Sequence, residues 1–207
     1  MKQRVMTLWL MTGLLLFVGC GDGTDGTNAG KKGGMPTLDE LATDQGVDTV
    51  VIEAEDFAKW GGKIEPPMRV CREDEYDEEA SGGRYIVVDG DAGKPGAPIP
   101  GTDRTYPERW GALSYTFTVA KGGKYVFWGR KLYQDGCGNS FTLVLNGGHP
   151  VKFADQTTGR WHWHKPQTFF ELKAGENTLE ILNREDGVKL DQFILTKKLK
   201  FTPVGAE

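Results

Sequence analysis

Backbone punctuation decides what this chain can become. Of its 207 residues, 29 are Gly and 10 are Pro, and past residue 35 the longest stretch free of both is Val188–Thr202. Inside a helix, Gly costs about 1 kcal/mol and Pro about 3 kcal/mol relative to Ala. Long helices, helical bundles and coiled coils are therefore excluded, and many short strands joined by tight turns remain.

The first 47 residues stand apart from that pattern. Lys2 and Arg4 precede an apolar run, Leu8–Val18, broken only by Thr12 and Gly13. The run is short for a bilayer span and reads as an export signal. Leu16-Phe17-Val18-Gly19-Cys20 resembles the lipobox of bacterial lipoproteins, in which the Cys becomes the acylated first residue of the mature chain. Cys20 is thus the expected lipid attachment point, with ordinary signal cleavage beside an incidental Cys as the alternative. Gly21–Gly34 has no apolar residue except Ala29. Such a composition cannot bury a core, so residues 21–47 read as a flexible linker and the folded domain is expected over 48–202. The expected location is the cell envelope, exported and held to the membrane by lipid. Losing Lys2 and Arg4 with the signal shifts the formal charge from −4 to −6. An acidic balance gives no footing for nucleic acid.

Two further cysteines remain, Cys71 and Cys137. In an exported chain a leftover pair points to a disulfide. It closes a loop of about 67 residues and contributes about 4 kcal/mol in the chain-entropy picture. Two free thiols are the alternative, since Cys137 sits between glycines. Their spacing does not match a zinc site.

From Val47 onward the strand signals come close together. In Ala112–Val119, Tyr115, Phe117 and Val119 fall on one face and Ser114, Thr116 and Thr118 on the other, which is the period of a half-buried strand. Strands are also expected at 50–55, 84–88, 124–132, 141–145, 151–153, 168–172, 178–183 and 189–196, with Asp186-Gly187 as the turn between the last two. About nine strands without a βαβ rhythm imply an all-β protein, an antiparallel β-sandwich of jelly-roll type. The acid-rich Arg72–Glu79 reads as a solvated loop.

Several motifs in order now resemble one family: Val51-Ile52-Glu53-Ala54-Glu55-Asp56-Phe57, then Gly123-Lys124-Tyr125-Val126-Phe127-Trp128-Gly129-Arg130, Asn139-Ser140-Phe141, Trp161-His162-Trp163, Leu172-Lys173-Ala174-Gly175-Glu176-Asn177-Thr178-Leu179, and Arg184-Glu185-Asp186-Gly187-Val188-Lys189-Leu190-Asp191. Together, over about residues 48–197, they are similar to carbohydrate-binding modules of families 6 and 35, which have the galactose-binding-domain-like jelly roll. The resemblance implies a structural calcium held by Glu53, Glu55 and Asp191, with backbone carbonyls near Gly82-Gly83. Residues i and i+2 of a strand face one side, so both glutamates can meet one ion, and calcium takes six to eight oxygens. A solvent-facing Glu pair is the alternative. A glycosidase pair is not expected, because neighbours on one strand cannot flank a substrate bond.

A sugar site requires aromatic platforms for apolar C–H faces and planar polar groups for the rim. In the family it lies in loops at one end of the sandwich. Trp161, Trp163, Tyr133, Asn139, Trp110 and Arg184 are the candidates, while mid-strand Trp128 reads as core. Trp60 and Tyr106 also fall in or near loops. His162 and His164 share a face, but with His149 as the one further histidine and no other ligand at zinc spacing, zinc is not expected. The function these readings converge on is non-catalytic binding of a polysaccharide or glycoconjugate by a monomer. The rivals are a structural or protein-interaction sandwich with no sugar site and a small glycan-active hydrolase.

Overall fold

The alternation in Ala112–Val119 is the seed of the structure. A computed structural model of the chain describes residues 49–204; the export signal, Cys20 and the linker fall outside them. Among the described residues there are twelve strands: β1 (Thr49–Glu53), β2 (Ile64–Glu65), β3 (Arg69–Val70), β4 (Ile86–Val87), β5 (Ala112–Val119), β6 (Gly123–Tyr133), β7 (Ser140–Leu145), β8 (Val151–Ala154), β9 (His162–His164), β10 (Phe170–Leu172), β11 (Gly175–Asn183) and β12 (Val188–Thr196). The expected nine all appear, and β2, β3 and β9 are additional. Each of these is two or three residues long, too short to show a period.

All described pairings are antiparallel. One sheet runs β10-β6-β12-β4-β3, with β1 also on β12 and β9 also on β6; the other runs β2-β5-β11-β7-β8. Tyr115, Phe117 and Val119 are buried as the alternation requires. The sheets interlock through aromatic pairs: Tyr115 meets Phe193 of β12 edge-on at 4.7 Å, and Phe127 of β6 meets Phe153 of β8 at 5.3 Å. Each ring so buried contributes about 1.5–3 kcal/mol, and this core fixes which ends of which strands can carry a site.

β12 contains an irregularity that matters for chemistry. Leu190 pairs with Lys131 and Gln192 with Arg130, so Asp191 is the extra residue of a bulge. A bulge re-aims its side chain, and Asp191 is fully buried.

The expected Cys71–Cys137 disulfide is absent; both thiols are free. Cys71 packs with Ala80, Tyr85, Val87 and Trp161, and its Sγ accepts the Tyr85 N–H at 3.4 Å. Cys137 is exposed, in a turn whose N–H bonds Asp135 Oδ1 at 2.8 Å. One thiol is committed to a buried cluster and the other to an exposed turn.

Candidate functional site

Glu53 ends β1, and Glu55 lies one residue into the 3-10 segment Ala54–Trp60. The two are therefore not successive same-side positions of a single strand, as the spacing had implied. They remain neighbours, with Asp191 close enough for each to feel its charge. Glu53 Oε1 accepts hydrogen bonds from Ser81 Oγ at 3.1 Å and from Gln192 Nε2. Glu53 Oε2 and Glu55 Oε2 are buried without partners. Burial pushes Glu53 upward and Glu55 up to about 7. Asp191 has both oxygens engaged: Oδ1 accepts the Ser81 N–H at 3.0 Å and Oδ2 accepts Arg130 Nη1 at 2.5 Å. Its pKa is also raised, by burial, against the pull of Arg130. The turn Ser81–Gly83 thus sits on the carboxylates where the family resemblance puts backbone ligands. Among the described residues no three His, Cys, Asp or Glu side chains form a ready metal cluster. The oxygens free to receive a cation here are Glu53 Oε2 and Glu55 Oε2.

Three expected sugar contacts are packing residues instead. Trp161 is 7 % exposed; its Nε1 donates to Asp77 Oδ2 at 2.8 Å, its ring meets Tyr85 edge-on at 5.5 Å, and Arg130 lies 5.5 Å over it. Trp163 is 6 % exposed in a cluster with Val126, Trp128, Ile194 and Phe201. Tyr133 is fully buried, its hydroxyl donating to the Phe153 carbonyl at 3.1 Å. All three lie on or beside β6 and β9, which pair with each other. The loop appearance of Thr157–Trp161 concealed that strand.

Trp110 and Arg184 do come together. They line a pocket of about 650 Å³ between the loop 89–110 and the ends of β7 and β11, with Lys94, Glu108, Arg109 and Asn183. The loop folds back through a Pro98–Thr105 bridge and a Tyr106 N–H to Ala97 carbonyl bond of 2.9 Å. This places Tyr106 against Trp110, ring centroids 5.3 Å apart. Gly93 makes the packing possible: its φ is +80°, and a Cβ there would stand 2.1 Å from the Tyr106 ring. Trp110 Nε1 donates to the Ala92 carbonyl at 3.0 Å, which fixes the indole plane. Gly111, at φ +92°, lets Pro67 and Asn183 close in behind it.

The polar wall is organised by Glu185. Its Oε2 accepts from the Asn139 N–H at 3.0 Å and from Ser140 Oγ at 2.5 Å, and its Oε1 accepts from Arg184 Nη1 at 2.7 Å. Burial raises its pKa, yet those hydrogen bonds hold it below the usual value. Asn139, expected as a sugar contact, is buried and serves this wall from behind through its backbone N–H. The residue that sequence reasoning missed is Asn183. It is 5 % exposed, it lines the pocket, and neither Oδ1 nor Nδ2 has a hydrogen-bond partner. As the last residue of β11 it read as the end of a strand, and only the fold places it in the same pocket wall as Trp110.

The fold is shared with known structures, though the sequences are distant. A family 35 carbohydrate-binding module from Clostridium thermocellum matches with TM-score 0.51 and 19 % identity, over 71 % of this chain and 98 % of that one. A native structure of such a module from the same organism matches with TM-score 0.50 and 14 % identity, over 71 % and 96 %. A GH26-CBM35 β-(1,4)-mannanase from Podospora anserina matches with TM-score 0.51 and 18 % identity over 72 % of this chain, a region spanning 27 % of the mannanase. No protein-family model and no curated protein matches the sequence. The β-sandwich jelly roll of family 35 carbohydrate-binding modules is thus the fold of this chain.

Proposed function

We propose that the chain is a non-catalytic carbohydrate-binding module, exported and lipid-anchored through Cys20, that holds a polysaccharide or glycoconjugate in the Trp110 pocket. The observation that carries this is Asn183. A buried amide with no partner costs about 1–3 kcal/mol; its atoms are closed to solvent, so the pocket wall must shift for a ligand hydroxyl to reach them, and one that does supplies both the donor and the acceptor they lack. Beside it stand a fixed indole for a sugar's apolar face and the Arg184 guanidinium for its rim. Glu108 and Glu185 are the pocket's carboxylates; Glu185 is tied up by three donors, so an acid/base pair is not what this wall provides.

We further propose a structural calcium at Glu53 and Glu55. Two buried carboxylate oxygens without partners are what a hard cation satisfies, and it would lock the end of β1 to the Ser81–Gly83 turn. Isothermal titration against a panel of neutral and acidic glycans, with wild type and Trp110→Ala, tests the binding function. Binding to one glycan class that the variant loses supports it. No heat with any glycan sinks it.

A further inference from the structure

Lys131 is a fully buried amine whose neighbours are aromatic. On β6, its Nζ lies 3.8 Å from the Tyr133 ring centroid and 4.9 Å from that of Phe153. It stands 2.9 Å from Asp155 Oδ2, the ion-pair partner whose hydrogen bond and charge oppose the effect of burial on the amine. A C–O bond is about 1.2 Å long, so Nζ lies within about 4.1 Å of the Asp155 carboxyl carbon, the atom an amine would attack. Asp155 follows β8 of one sheet, whereas β6 belongs to the other. The pair therefore bridges the sandwich.

The carboxyl is held from its far side. His162 Nε2 lies 3.2 and 3.0 Å from the two Asp155 oxygens, and His164 Nδ1 lies 3.2 Å from Oδ2. The Thr157 N–H bonds Oδ1 at 2.9 Å. His162 Nδ1 faces the Arg160 carbonyl at 3.1 Å. That carbonyl can only accept, so Nδ1 carries a hydrogen, and any hydrogen between Nε2 and the carboxyl is shared by the two. Burial pushes the Lys131 amine down to about 8, so a free amine is accessible near neutrality.

We propose that Lys131 and Asp155 condense into an intramolecular isopeptide bond that joins the two sheets. The Nζ–Cγ bond forms, the Cγ–Oδ2 bond breaks, and Oδ2 leaves as water with two of the three ammonium protons, one passed to the carboxylate before attack and one released from nitrogen after it. Against the effect of burial, Lys131 itself holds the Asp155 carboxylate below its usual range beforehand. His162 Nε2 holds the proton in transit and ends as it began. No oxidant, reductant or further reactant enters. The driving force is local: an ion pair here keeps two charges out of water, and an amide removes both charges.

Mass spectrometry of the full chain decides it. Wild type should be about 18 Da lighter than its sequence requires, relative to Lys131→Met and Asp155→Ala, which should keep their full mass. All three share one N-terminus, so processing there cancels. A wild-type digest should yield a branched peptide joined through Lys131 and Asp155. Wild type at full mass overturns the proposal. So does a loss of water carried on a linear peptide, which marks a cyclic imide. Should a variant fail to fold, the wild-type mass and digest still decide.

Discussion

Trp161 donates its indole hydrogen to Asp77 across 2.8 Å, tying β9 to the acid-rich loop. The indole also lies beneath Arg130, the residue that neutralises Asp191. A tryptophan so placed is structural. Trp161→Ala should lower stability by about 3–5 kcal/mol, the range for deleting a buried aromatic, while a folded variant keeps glycan affinity unchanged. Denaturant unfolding beside titration calorimetry checks both; a selective loss of affinity would return Trp161 to the binding surface.

The same loop carries an acid-sensitive link. Arg69 reaches Glu75 through both terminal nitrogens, at 2.6 and 2.8 Å, and Asp89 at 2.9 Å through Nε. Hydrogen bonds from Arg69, then from the Arg72 N–H, hold Glu75 down to about 2. A folded pKa below the unfolded one contributes stability that is present above about 4.5 and lost as pH falls toward 2. Glu75→Gln should flatten that part of the acid limb and leave the melting temperature at pH 2 nearly unchanged. Melting curves from pH 2 to 6 measure it, and an identical slope in the variant contradicts it.

At Glu53 and Glu55 the sign is reversed. Their folded pKa values are raised, Glu55 to about 7, chiefly by burial. Without an ion, their contribution is fully present below about 4.5 and is lost as pH rises through 7. Calcium binds the ionised carboxylates, so its stabilisation should appear over that same range. It should reach about 2.7 kcal/mol at a hundredfold excess over its dissociation constant. A chelator should lower the melting temperature by several degrees at pH 8 and little at pH 5, and Glu53→Gln with Glu55→Gln should abolish the difference. An equal effect at both pH values, or none, counts against calcium.

Strand period and turn residues were legible because they are local: the alternation through Val119 and the Asp186-Gly187 turn needed no partner to be read. Burial of a particular tryptophan is not local. Trp161 and Trp163 looked like loop aromatics because β9 is three residues long, and its pairing with Lys131–Gly129 of β6 is a long-range fact. Asp191 was legible as an acid beside the glutamates, yet not as a bulge residue whose oxygens meet Arg130 and Ser81. Asn183 carried no signal at all, since a polar residue at a strand end is ordinary until Trp110 and Arg184 are placed around it.

Asn183 also gives the sharpest separation of binding from folding. In the free protein its amide is buried with nothing to bond, so its polarity costs stability. An apolar residue of similar size removes that cost and can be neutral or stabilising. Asn183→Leu should therefore keep or raise the melting temperature while weakening glycan binding by at least tenfold, about 1.4 kcal/mol. Ordinary damage to the fold moves both quantities down together. If the variant melts lower and binds as wild type does, Asn183 serves packing alone, and the sugar's polar contacts must come from Arg184 and Lys94.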